Sequence, residues 1–304
     1  MKKTTALFAL CAPLLARSLT AQPFVKAVRA NGVELHYVEQ GKGDAIVFVH
    51  GGLEDYRAWQ PQLEAMAGHY RTVAYSRRYN YPNSGAPART DYSAVGDADD
   101  LAALIGALKL SPARIIGVSH GASVALWLAV RHPELVRSMV LSEPPMLRWL
   151  PDLEGGTALF ADFMNKVWAP ATRGFRVGDE AGVKAAVDGF GEAGYSGSAE
   201  KMTFAGLPPE VRRAALQNAA EWKALTLSKD AFPVLSPSAV KGVKAPTLLL
   251  SGQRSLALHG VIDKELEKLL PQHERIILAN ATHEMWNEYP DKCRHAALAF
   301  FVKH

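Results

Sequence analysis

Ser119 sits in Gly117-Val118-Ser119-His120-Gly121, a hydroxyl flanked by glycines two residues away on each side. An apolar run, Arg114-Ile-Ile-Gly-Val118, ends at the serine, and a helical pattern, Ala122 to Val130, begins just after it. A sharp strand–turn–helix of this kind lifts a serine hydroxyl above a sheet edge and makes it a nucleophile. The two glycines let strand and helix approach closely. The helix N-terminus then faces the negative charge that develops during attack. A plain helix N-cap is the structural alternative for Ser119.

A serine nucleophile needs a base. Of ten histidines, His283 is the strongest candidate, in the loop Ala279-Asn-Ala-Thr-His283-Glu-Met-Trp286 after the last strand pattern. It would take the hydroxyl proton and return it to the leaving group. His69, His132 and His295 fall in or beside helices away from that edge, and His120 is adjacent to the serine but faces wrongly to serve it. The alkoxide of a tetrahedral intermediate also needs two preorganised N–H donors. The amide of His120 supplies one. The loop His50-Gly51-Gly52-Leu53-Glu54-Asp55 supplies the other, with Gly52 as the expected donor and the His50 side chain as a structural hydrogen-bonder.

These groups need a scaffold. Val25–Arg29 and Val33–Glu39 alternate around Asn31-Gly32 and predict a β-hairpin. Apolar runs at 45–49, 114–118 and 137–141 predict strands buried on both faces, and further strands are expected at 71–75, 246–251 and 275–278. Helical patterns are expected at 97–108, 121–131, 261–270 and 290–302. The alternation gives an α/β fold, a mostly parallel central sheet with helices on both faces. From 146 to 241 the alternation stops and only helical patterns remain, so an inserted helical cap is expected there. Residues 22–145 and 242–304 form the core domain. Trp149, Phe163 and Trp168 in the insertion, with Trp286 beside the base, are the expected apolar lining, against the alternative of plain packing.

The chain has 304 residues, 48% of them hydrophobic and 21% charged, values that exclude disordered and collagen-like classes. Its two cysteines, Cys11 and Cys293, exclude a disulfide framework and a Cys-rich zinc site. The basic start Met1-Lys2-Lys3, the apolar stretch from Ala6 to Ala16 and Ser18-Leu-Thr-Ala21 predict an export signal over 1–21, hence a secreted or periplasmic protein. Lys2, Lys3 and Arg17 account for most of the net charge of +4, so neither a nucleic acid nor a stable membrane partner is expected. No metal-ligand cluster, phosphate loop or nucleotide fingerprint appears, so no cofactor is expected.

The three motifs together resemble the α/β-hydrolase fold superfamily, in its capped, lipase/esterase-like branch. The resemblance rests on His50-Gly51-Gly52, the Gly117–Gly121 elbow and the Ala281-Thr-His283 loop, and it covers essentially all of residues 24–304. Members usually carry an acid in Gly-x-x-Asp, where this chain reads Gly252-Gln-Arg-Ser255. The resemblance then points to the end of the preceding strand, where Glu143 follows Ser142 and precedes Pro144-Pro145. Asp263 and Glu284 are the weaker candidates. A Ser119–His283–Glu143 triad implies acyl transfer to water, and the aromatic lining favours a neutral, fairly hydrophobic small-molecule ester or lactone. Carbon–carbon bond hydrolases and cofactor-free haloperoxidases share the serine and remain open. A non-catalytic ligand-binding member is the alternative of another class. Epoxide hydrolases and haloalkane dehalogenases need a carboxylate nucleophile, against which Ser119 argues.

Overall fold

A computed structural model describes residues 24–83, 88–195 and 201–304. The expected export signal, 1–21, lies outside the described residues. Eight strands form one sheet: β1 Lys26–Ala30, β2 Val33–Gln40, β3 Ala45–Val49, β4 Arg71–Tyr75, β5 Ala113–Val118, β6 Val136–Ser142, β7 Thr247–Gly252 and β8 His273–Leu278. The spatial order is β1-β2-β4-β3-β5-β6-β7-β8. The pairs β1/β2 and β2/β4 are antiparallel. The remaining pairs are parallel.

The β1–β2 hairpin turns through Asn31 and Gly32, both at positive φ (47° and 77°). This is the backbone that matches strand twist, which Asn-Gly adopts readily. The central strands bury both faces. Val47, Val49, Ile115, Leu141 and Leu249 pack into one apolar layer. Ile46, Phe48, Ile116, Val140, Leu248 and Leu250 pack into the other. Period-two alternation with no polar face produces the continuous apolar runs of the sequence.

Between β6 and β7 the described chain is helical, from Leu147–Asp152 to Pro237–Lys241. Leu150, Val167 and Phe175 of this insertion belong to the same apolar layer as β3, β5 and β6. Two helices start earlier than their apolar periodicity predicts. One spans Ala94–Ala107, so Asp97 lies a turn inside it. The other spans Ala257–Leu269, and its first turn carries His259. Among the described residues, no helix is long and apolar enough to cross a membrane.

Candidate active site

Strand register brings the candidate residues to one edge. Val118 pairs with Ser142 across β5/β6, so the next residues, Ser119 and Glu143, leave the sheet side by side. The Ser119 amide donates to the Ser142 carbonyl at 2.8 Å. Both residues have left-handed backbones, with φ of 53° at Ser119 and 51° at Glu143. Each such position costs on the order of 1–3 kcal/mol unless its surroundings hold it. At Ser119 they do: a Cβ on Gly117 would stand 2.5 Å from the Gly121 carbonyl oxygen. One on Gly121 would stand 2.3 Å from that of Val49. Only glycines permit so tight a turn.

His283 follows β8 and is buried. Its Nδ1 lies 2.5 Å from Glu143 Oε2. Glu143 Oε1 accepts from the Gly252 amide at 2.7 Å, which fixes the carboxylate against the end of β7. Burial opposes ionisation of Glu143, but the neighbouring imidazoles of His259 and His283 and the Gly252 amide outweigh it and hold its carboxyl down at about 2. An ionised Glu143 keeps the proton of His283 on Nδ1 and leaves Nε2 as the acceptor. Burial lowers the affinity of His283 for its proton. The hydrogen bond and charge of Glu143, with the charges of Glu284 and Glu54, more than reverse this and raise its pKa. Asp263 does not bond to His283. It accepts from Ser251 Oγ at 2.5 Å, and Ser255 makes no side-chain hydrogen bond among the described residues.

The loop after β3 holds the second expected donor. Gly51 N–H donates to Glu54 Oε2 at 2.8 Å. Leu53 N–H, at a φ of 59°, donates to Glu221 Oε2 at 3.1 Å. The Gly52 amide between them has no acceptor among the described residues, and His120, the first residue of its helix, has an N–H beyond the reach of intrahelical bonding. Under the loop lies Arg77, wholly buried. It pairs with Asp97 at 2.9 Å and with Glu221 at 2.6 Å, and donates to the Gly51 carbonyl at 2.8 Å. His50 Nε2 accepts from the Arg77 amide at 3.1 Å. The His120 ring is held by Asp97 at 3.1 Å.

Aromatic rings roof the edge. The Tyr195 ring meets His283 edge-on at 5.1 Å, Phe190 lies 5.2 Å from Tyr195, and Trp222 lies 5.6 Å from Phe190. Trp222 Nε1 stands 2.6 Å from where a Gly52 Cβ would be. Trp168 packs on Trp222 at 5.9 Å, and Phe163 lies 6.3 Å from Phe190. Trp149 lines a small cavity with His120, Ser123 and Met146, and its Nε1 donates to the Leu235 carbonyl at 2.7 Å. Trp286 stands apart from these three. It packs in the other apolar layer, edge-on to Trp59 at 5.1 Å, with Nε1 on Ser142 Oγ at 2.8 Å. Sequence reasoning missed Glu54, Tyr195, Glu221 and His259. Glu54 stands in the quoted glycine loop, and its acid type was the available signal.

Among the described residues, Glu143, His259 and His283 bring potential ligand atoms within 4.8 Å of one another. The imidazoles of His259 and His283 are stacked, however, with planes only 16° apart. Imidazole lone pairs lie in the ring plane, so two stacked rings do not converge on one ion.

A sequence model of the alpha/beta hydrolase fold matches residues 44–286. An epoxide hydrolase of Caballeronia sordidicola is 36% identical over 124 residues, 40% of this chain and 37% of the relative. A putative non-heme bromoperoxidase, BpoC, of Mycobacterium tuberculosis is 40% identical over 111 residues, 36% of this chain and 41% of the relative. These alignments span less than half the length of either curated relative. The enol-lactonase from Burkholderia xenovorans LB400 superposes with a TM-score of 0.70 at 20% identity, over 91% of this chain and 100% of that one. With its register-aligned sheet edge, its glycine-walled elbow and this match over most of its length, the chain belongs to the α/β-hydrolase fold family.

Proposed function

We propose that the protein is a serine hydrolase that cleaves neutral, fairly hydrophobic carboxylic esters or lactones through an acyl-enzyme. One observation carries the reading. His283 Nδ1 is engaged by Glu143, on the same edge at which Ser119 is held in a left-handed elbow. In this mechanism Ser119 Oγ attacks the ester carbonyl while His283 Nε2 takes its proton. The amides of Gly52 and His120 receive the oxyanion. His283 then protonates the leaving alcohol, and water repeats the sequence to release the acid. Glu143 stays ionised throughout and stabilises the imidazolium.

Residues 146–241 act as the cap, and Trp149, Phe163 and Trp168 favour apolar acyl or alcohol groups. The Trp286 ring serves the core beneath the site. Residues 1–21 direct export to a secreted or periplasmic location. Ser119 supports ester over epoxide chemistry, since epoxide opening on this fold needs a carboxylate nucleophile. The alignment to the bromoperoxidase keeps halogenation as a second reading, one that uses the same serine.

The test is hydrolysis of 4-nitrophenyl butyrate by the wild type and Ser119→Ala, with mass spectrometry of the protein after a fluorophosphonate probe. The expected result is turnover and one covalent adduct on Ser119, both lost in the variant. Turnover that survives in Ser119→Ala overturns the reading. Halogenation of an activated ring by an enzyme inactive on every ester would favour the second.

A further inference from the structure

Glu54 is a carboxylate that the triad does not use. A Cβ on Gly51 would stand 3.0 Å from Glu54 Oε2 and 3.5 Å from the Ser119 Cβ, so acid and nucleophile approach the same face of Gly51. The Gly51 amide holds Oε2 in place. Asn80 Nδ2, donating to the Glu54 carbonyl at 2.8 Å, holds the backbone. The side chain is half-buried and faces a group of further titratable residues. These are Glu284 and His283 from the loop after β8, and Asp55 beside it in the chain. Tyr195 also feels its charge from the roof. Glu284 is fixed by the Tyr195 hydroxyl at 2.8 Å and by Asn287 Nδ2 at 2.7 Å. Asp55 is neutralised by Arg57 at 2.6 Å. No arginine or lysine pairs with Glu54 or Glu284 among the described contacts.

We infer that Glu54 is a specificity-determining residue, which rejects esters carrying a carboxylate near the scissile bond and admits neutral or cationic ones. The inference rests on the ester-hydrolase reading and narrows its substrate class. An anionic acyl chain bound at Ser119 would meet Glu54 and Glu284 with no countercharge. Like charges in a half-buried site repel much more strongly than in water. A neutral chain meets no such repulsion, and an ammonium gains attraction. Burial raises the Glu54 carboxyl, and Glu284 adds to this, so that it ionises at about 7. The discrimination therefore strengthens as pH rises through neutrality. Base, nucleophile and oxyanion donors act alike on all esters, so a ratio of substrates cancels them.

The experiment measures kcat/KM for three 4-nitrophenyl esters of matched length, at pH 5.5 and pH 8.5. They are the pentanoate, the glutarate monoester and the 4-(trimethylammonio)butanoate. The wild-type preference for pentanoate over glutarate should rise on the order of tenfold between the two pH values. The cationic ester should gain in parallel. Glu54→Gln should flatten the dependence, and Glu54→Asp should keep it. Glu284→Gln should move the rise to lower pH by removing a like charge. A wild-type ratio that ignores pH, or a rise unchanged in Glu54→Gln, overturns the inference. Binding of the three corresponding amides to Ser119→Ala, followed by calorimetry, separates the two ideas. If no ester is turned over, the hydrolase reading fails, while the order of amide affinities and its dependence on Glu54 still decides this one.

Discussion

The imidazole of His259 lies flat on that of His283, with ring centroids 4.4 Å apart and planes 16° apart. Burial, with the nearby His283, pushes His259 down to about 3, so it is neutral at neutral pH. In the proposed mechanism, a neutral ring face against His283 would fix its tilt and support the imidazolium that forms during attack. His259→Ala should therefore lower kcat about tenfold with little change in KM, because ring orientation matters only once the proton moves. His259→Phe keeps a ring face and should recover most of the loss. Equal losses in both variants would show that the ring's polar atoms matter instead.

The Glu143–His283 pair gives a sharper prediction. Glu143→Gln keeps the shape but removes the charge that favours the imidazolium, and kcat should fall on the order of 10³–10⁴-fold. Because Glu143 raises the His283 pKa, the variant should also shift the acid limb. In the wild type, kcat/KM should rise with pH as His283 loses its proton, above the ordinary imidazole value. In Glu143→Gln the residual activity should rise at lower pH. Asp263→Asn should leave kcat close to wild type; the opposite pattern would transfer the acid's role to Asp263.

The turn at Ser119 and the loop position of His283 were legible in the sequence because local rules govern both. A buried parallel strand is a continuous apolar run, and a loop after it falls on the carboxyl edge. The contact of Glu143 with His283 has no local signal of its own: only the serine at 255, where an acid is usual, points to the end of the neighbouring strand. His259 was hidden because apolar periodicity begins at Val261, while the helix starts at Ala257. Glu221 is 168 positions from Leu53, and no local pattern announces such a contact. Trp286 illustrates the same limit. Its place after His283 suggests the apolar lining, and the structure packs its ring with Phe48 and Trp59 in one apolar layer.

Arg77 tests how the loop is held. Its guanidinium is wholly buried between Asp97 and Glu221. Burial opposes its charge, and the two carboxylates overcome this and raise its pKa well above the usual value. Arg77→Met would remove the countercharge of both buried acids, leaving Asp97 only the Tyr92 hydroxyl and the His120 ring and Glu221 only the Leu53 amide and Asn80, and should cost on the order of 3–5 kcal/mol in denaturant unfolding. Adding Glu221→Leu should recover part of that loss, because one orphaned charge disappears. A double variant no more stable than the single would show that Glu221 carries no excess charge there.

Gly121 offers a steric test. A Cβ there would stand 2.3 Å from the Val49 carbonyl oxygen and 2.5 Å from that of His50, both backbone atoms that cannot step aside. Gly121→Ala should cost at least ~2 kcal/mol and abolish covalent labelling of Ser119. At Gly106, exposed in the helix Ala94–Ala107, a Cβ meets nothing within 4 Å. Gly106→Ala should therefore stabilise by ~0.5–1 kcal/mol. Thermal unfolding of both variants beside the wild type reads the contrast, and equal midpoints would reject it.

Asp263 predicts a pH dependence of stability with an unusual sign. Burial pushes its carboxyl up to about 7, and the Glu143 charge adds to this against the Ser251 hydrogen bond and the more distant Arg275. Ser251 Oγ satisfies Oδ2, while Oδ1 has no partner among the described residues. In the unfolded chain the group ionises near 4. Between those values the folded state binds more protons than the unfolded, so stability falls as pH rises from about 4 to about 7. Asn at this position cannot ionise, yet it still accepts from Ser251. Asp263→Asn should match the wild type at pH 4 and exceed it at pH 8 by on the order of 3 kcal/mol. Denaturant unfolding of the two proteins at both pH values reads the difference. A gap that is the same at pH 4 and pH 8 would mean that Asp263 ionises alike in the folded and unfolded chain.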